Sequence, residues 1–132
     1  MIEVTEFRRS LFQHRCVTYR RTRLSLPTHG AIAIALGMAM LIAPALIGFG
    51  VAGLVLSASL GAVEIGFGLT LTAPGRYVTA WRAHLDSLFA LATAASALGL
   101  AADGQTTAAT FLAVIAGASA CLNLATQYAR AS

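Results

Sequence analysis

The chain has 132 residues, 58% of them hydrophobic and only 11% charged, with a mean hydropathy of +0.76 and a formal net charge of +4. That composition excludes an ordinary soluble domain. Four apolar segments of about 20 residues, the length that crosses ~30 Å of hydrocarbon, use most of the chain. The basic balance (pI ≈ 9.8) reads as attraction to anionic headgroups rather than to nucleic acid, because six of the nine arginines abut a membrane span.

Residues 1–26 form a basic, polar arm carrying Arg8, Arg9, Arg15, Arg20, Arg21 and Arg23. Phe12, Cys16 and Tyr19 share one helical face, yet Arg9 and Arg23 intrude on it. The poor segregation predicts an interfacial or partly disordered arm rather than an amphipathic surface helix. His14 and Cys16 stand two residues apart with no further ligands beside them, so no metal site is expected. The apolar run that follows is longer than a signal-peptide core and is succeeded by another, which predicts a span rather than a cleavable leader.

The first span is predicted over residues 28–43. Pro27 and Thr28 supply a helix start, Pro44 kinks or terminates it, and Gly48, Gly50 and Gly53 punctuate the outer turn. The second covers 51–72 and stops at Ala73-Pro74-Gly75. A loop follows in which Arg76, Tyr77, Trp81 and Arg82 make an interfacial aromatic and basic anchor. The third span covers 83–101, Asp103-Gly104 turns the chain, and the fourth covers 106–127. Every arginine lies before the first span, between the second and third, or after the fourth, and the other two connections have none. Basic loops stay cytosolic, so both termini are predicted to be cytosolic in a bacterial plasma membrane. A chain with no Lys but abundant Ala, Gly and Arg points to a GC-rich bacterial genome.

An internal repeat is visible at this level. His29 opens the first span and His84 the third, 55 residues later, while Gly61 and Gly117 correspond at a shift of 56. The expected architecture is all-α, a four-helix membrane bundle of two helical hairpins in a parallel repeat. The stretch Leu36-Gly37-Met38-Ala39-Met40-Leu41-Ile42-Ala43-Pro44-Ala45-Leu46-Ile47-Gly48-Phe49-Gly50 resembles the SPW-repeat integral membrane proteins, small bacterial proteins of paired membrane helices. Their Ser-Pro-Trp motif stands here as Ala43-Pro44-Ala45, and the second unit has no proline. The resemblance covers residues 29–72 and implies a helical hairpin without a known activity.

Glu64 is the residue that points most directly to a site. It lies eight residues from the end of the second span, ~12 Å deep by the helical rise, where an ionisable group is costly and calls for a partner or a role. Asp86 and Asn123 lie in the same half, with His29, His84, Ser87 and Gln127 nearer the surface. Glu64, Asp86, Asn123 and His84 are therefore the candidate proton, ion or ligand site. The plainer expectation is a Glu64 hydrogen-bonded to Asn123 or to a backbone carbonyl, tying helices together. His29 and His84 stand at similar depth, as bis-His haem ligation requires, but both suit an interface without a ligand. No cofactor is expected.

No Gly-rich phosphate loop, Ser-His-Asp order or Cys-x-x-Cys pair occurs, and no enzymatic activity is predicted. Cys16 and Cys121 are too far apart to pair and are expected as free thiols. Small residues recur every four positions, including Ala33/Gly37, Ser57/Gly61, Ala62/Gly66 and Ala109/Ala113/Gly117/Cys121. Gly37, Gly61, Gly66, Ala113 and Gly117 are the predicted close-packing positions. With a ridge on nearly every helix, some must face outward. The function expected is that of a non-enzymatic membrane subunit, homo-oligomeric or accessory to a larger membrane complex. The alternatives are a small channel or transporter using Glu64, or a haem-carrying anchor.

Overall fold

The computed structural model describes residues 24–72 and 80–126, apart from the side chains of Ala80 and Trp81. The basic arm and the anchors Arg76 and Tyr77 lie outside the described residues, as does the side chain of Trp81. Four helices, α1 (Leu26–Ile47), α2 (Val51–Thr72), α3 (Ala80–Ala102) and α4 (Thr106–Ala125), account for nearly all of the described chain. All four are long and apolar enough to cross a membrane. Their outer faces are as apolar as their inner ones: Leu46, Val51 and Leu124 are each more than four-fifths exposed. Such surfaces are stable in lipid and aggregate in water.

Helix α1 begins where the sequence signals it. Ser25 caps it by accepting from the Thr28 amide, and Pro27 occupies its first turn. Its end differs from expectation: the helix passes through Pro44 and stops three residues later, at Ile47. Gly48, with φ +80°, caps it there, and the Gly48 and Phe49 amides both donate to Pro44 O, at 3.1 and 3.0 Å. Proline is tolerated because the carbonyl it leaves without a backbone donor, that of Met40, accepts from Ser57 Oγ at 2.8 Å. Gly104 (φ +77°) plays the matching part in the α3–α4 turn.

Helices α1 and α2 lie in backbone contact. A Cβ on Gly37 would stand 2.7 Å from Gly61 O, and one on Gly61 would stand 2.7 Å from Gly37 O. Gly30 and Gly68 repeat the arrangement one heptad away, at 2.8 and 2.6 Å. The buried positions Gly30, Ala33, Gly37, Met40 and Pro44 alternate steps of three and four, as do Gly61, Glu64, Gly68 and Leu71 on α2. This is the spacing of a left-handed seam, with glycine where the helices touch.

Two zones join this pair to α3 and α4. Near the turns, Met40 packs with Ala97, Leu100, Ala108, Ala109, Leu112 and Ile115, and Phe49 meets Phe111 edge-on at 5.5 Å. At the opposite end Phe67 meets Phe89 at 6.0 Å. There the start of α1 and the end of α4 also meet, the Leu24 amide donating to Ala125 O at 3.0 Å. That second end carries the polar residues.

Candidate functional site

Each helix sends a polar side chain into the end of the bundle where α1 begins and α4 ends. His29, in the first turn of α1, is buried, with Nδ1 2.6 Å from Thr126 Oγ1. The Thr126 hydroxyl spends its one proton on Leu122 O at 2.7 Å, so it receives rather than gives toward the imidazole. Nε2 then faces Asp86 Oδ2 of α3 at 3.6 Å. One turn before Asp86, Arg82 folds back over the bundle. Its Nη2 donates to Phe67 O of α2 at 2.7 Å and its guanidinium lies 4.5 Å from the Phe67 ring centroid. Its Nε sits 3.5 Å from Asp86 Oδ1, an ion-pair distance without a hydrogen bond.

Glu64 lies at the centre, only 5% exposed, and accepts from Ser119 Oγ of α4 at 3.4 Å. The heptad that places Gly61 and Gly68 against α1 also turns Glu64 inward. His29, Glu64, Arg82, Asp86 and Ser119 surround a cavity of about 10 Å³, room for about one water molecule. The contacts run from α1 to α4, α1 to α3, α3 to α2 and α2 to α4. The ring therefore ties all four helices together through groups that would be costly to leave unpaired in lipid.

The expected site residues divide. Glu64 and Asp86 line the same cavity. His84 does not join them: it is exposed on α3. Asn123 is turned away as well, its Nδ2 donating to Ser87 Oγ at 2.7 Å and reaching Ala83 O at 3.5 Å. The partner of Glu64 is Ser119, one turn earlier on α4. Arg82, expected as an interface anchor, is a cluster residue whose side chain is 12% exposed. His29, Ser119 and Thr126 complete the group. No signal in the sequence singles out Ser119: the shift of 56 that relates Gly61 to Gly117 pairs Glu64 with Ala120.

The packing positions divide too. Gly37 and Gly61 touch across the α1–α2 seam, whereas a Cβ on Gly66 or Gly117 would meet nothing within 4 Å. Ala113 is likewise exposed. The expectation that these three pack closely fails within the chain because a helix presents small residues on several faces, and only one meets the neighbour.

Cys121 is a free, exposed thiol. Among the described residues no three His, Cys, Asp or Glu side chains are grouped to hold a metal ion. The arrangement has hydrogen-bonding and charge-pairing capacity, with space for a water but not for a substrate. Comparison with protein-family models, with curated proteins and with solved structures finds no match.

Proposed function

We propose that the protein is a non-enzymatic structural subunit of a bacterial plasma membrane, with both termini in the cytosol. It assembles with further copies or as an accessory part of a larger membrane complex. The observation that carries this reading is the ring of His29, Glu64, Arg82, Asp86, Ser119 and Thr126. Its members engage one another around a cavity of about 10 Å³, which suits holding helices in place and leaves no room for a solute. Outward-facing small residues support assembly: Ala62 and Gly66 lie one turn apart on the exposed side of α2, the kind of surface on which another helix can settle closely.

The two-unit architecture belongs to the same proposal. Buried positions Gly53, Ser57, Gly61, Glu64 and Leu71 of α2 have buried counterparts 55 residues on, at Ala108, Leu112, Ala116, Ser119 and Thr126. Gly30, Ala33, Gly37 and Pro44 of α1 correspond at 56 to buried Asp86, Phe89, Thr93 and Leu100, so the sequence pairs His29/His84 and Gly61/Gly117 are each one residue out of this burial register. A repeated burial pattern supports paired helical hairpins related by an axis along the membrane normal, with Glu64 and Ser119 meeting near it.

A second reading, a small ion or proton conductor, is favoured by one feature: a buried carboxyl beside a water-sized cavity. Native mass determination of the detergent-extracted protein separates the two. A defined oligomer, or stoichiometric co-extracted membrane proteins, is the expected result. A lone monomer that carries ion flux across liposomes would overturn the structural reading.

A further inference from the structure

The two nitrogens of His29 meet groups of different kinds. Nδ1 stands 2.6 Å from Thr126 Oγ1, whose own hydrogen goes to Leu122 O at 2.7 Å. That hydroxyl accepts from the imidazole, so Nδ1 carries a hydrogen whatever the charge on His29. Nε2 faces Asp86 Oδ2 at 3.6 Å. A neutral imidazole has one N–H, already given to Thr126, and its Nε2 turns a lone pair toward the carboxylate. An imidazolium has a second N–H at that position and makes an ion pair. One proton therefore decides whether this contact repels or attracts.

The contact joins two helices that otherwise stay apart: among the described residues, the backbones of α1 and α3 do not pack on each other. Each hairpin is locked internally at the same end. Gly30 lies against Gly68 between α1 and α2, and Asn123 Nδ2 donates to Ser87 Oγ at 2.7 Å between α4 and α3. Near the turns, the packing of Met40 with Leu112 and its neighbours is wholly apolar and has nothing to titrate. A change at His29 is thus felt between the hairpins, at the polar end. Asp86 keeps Arg82 Nε 3.5 Å from its other oxygen, and Arg82 is anchored on Phe67 O of α2. The carboxylate accordingly stays with α2 and α3 when α1 lets go. Among the described residues, the charged and titratable groups facing His29 are Asp86 and Arg82 of α3 and, across the cavity, Glu64 of α2; α4 contributes the Ser119 hydroxyl, with Thr126 just beyond its end.

We propose that His29 is a proton-operated latch. As imidazolium it draws Asp86, and with it α3, toward α1 and closes the polar end of the bundle. On giving its Nε2 proton to water it releases that contact and admits water to the cavity beside Glu64. Histidine is the side chain whose charge ordinarily changes near neutral pH, and a contact made or broken by one proton is how such a residue biases a two-state element. The latch uses the ring already described but not the assembly reading, since it operates within one chain.

Two measurements on the full chain in phospholipid nanodiscs test it. Nitrogen-15 histidine NMR reads the tautomer: His29 should be neutral with its hydrogen on Nδ1 at about pH 8 and doubly protonated at about pH 5, the span over which histidine ordinarily titrates. Its signal is assigned by its absence from His29→Gln. Spin labels at Ile32→Cys and Leu88→Cys, exposed in the polar halves of α1 and α3, read the gap once Cys16 and Cys121 are replaced by Ser. Their separation should lengthen from the lower to the higher of those pH values, whereas a pair at Leu46→Cys and Leu98→Cys, nearer the turns, should hold one distance. His29→Gln and Asp86→Asn should abolish the response, and His84→Gln, on the exposed side of α3, should retain it. A neutral His29 with its hydrogen on Nε2 would overturn the proposal in the parent chain, without recourse to any variant. So would an Ile32–Leu88 distance that ignores pH, or a response that survives His29→Gln. A response lost in Glu64→Gln while His29 still titrates would assign the switch to Glu64 and equally overturn it. Native mass at both pH values reads assembly separately, so failure of the latch and failure of the assembly reading are distinguishable.

Discussion

Ser57 donates to the carbonyl that Pro44 leaves without a donor. Pro44 has no amide hydrogen, so Met40 O would face the α2 backbone unsatisfied; instead Ser57 Oγ meets it at 2.8 Å. Both side chains are almost fully buried. The hydroxyl keeps α1 helical for three residues past the proline and fixes the register of α2 against it.

Ser57→Ala should therefore cost about 1 kcal/mol, the scale of hydrogen bonds between membrane helices. The measurement is unfolding in mixed micelles. In a Pro44→Ala background residue 44 regains its own amide hydrogen, and the same Ser57→Ala change should cost almost nothing. A double-mutant cycle reads the coupling directly. Equal costs in both backgrounds would mean that the serine acts by packing alone.

Gly37→Ala should be far more damaging than its size suggests. The new methyl would stand 2.7 Å from both Gly61 O and the Ile65 side chain, so the α1–α2 seam must open. Overpacking of this kind costs about 1–3 kcal/mol. Gly66→Ala, with nothing within 4 Å, should stay within about 0.5 kcal/mol of the parent in the isolated chain. Comparable losses in the two variants would refute the backbone contact between Gly37 and Gly61.

Hydropathy alone makes the four long helices legible, because length and apolarity are properties of each segment by itself. The polar site was only half legible, since depth along a helix can be counted but rotation about its axis cannot. Glu64 and Asp86 line one cavity; Asn123 and Ser119 stand one turn apart on α4, and a single-turn shift between helices decides which reaches Glu64. His29 is the fourth residue of α1 and His84 the fifth of α3, and one is buried while the other is exposed. The place of Arg82 is not legible for a different reason: a long side chain next to a headgroup can reach outward or fold back, and the inward choice depends on Phe67, fifteen residues away. Whether Pro44 kinks or terminates α1 is not legible locally, because its compensating hydroxyl is on another helix.

Topology has a direct test. Reporter fusions after Ser132 and within residues 76–82 should report a cytosolic location, since the arginines cluster on those sides. A fusion at Gly104, in a turn without basic residues, should report the outside. A cytosolic signal at Gly104 would rule out four spans with cytosolic ends.

Glu64 separates the structural reading from the conducting one. If its carboxyl serves to tie α2 to α4 through Ser119, Glu64→Gln keeps an acceptor oxygen at the same place, and assembly and cellular function should survive. Glu64→Leu removes that acceptor from a buried site and should cost about 1–2 kcal/mol of helix association, with Ser119→Ala reproducing most of the loss. If Glu64 instead carries a proton or ion through the bundle, the glutamine variant should fold and assemble normally while losing all flux, because it preserves the shape and cannot titrate. The comparison needs two readouts on the same preparation: oligomeric state by native mass and ion flux in liposomes. The expected result is an assembled Glu64→Gln protein that supports growth like the parent. Loss of parental flux in this variant, with assembly intact, would transfer the role of the ring from structure to conduction.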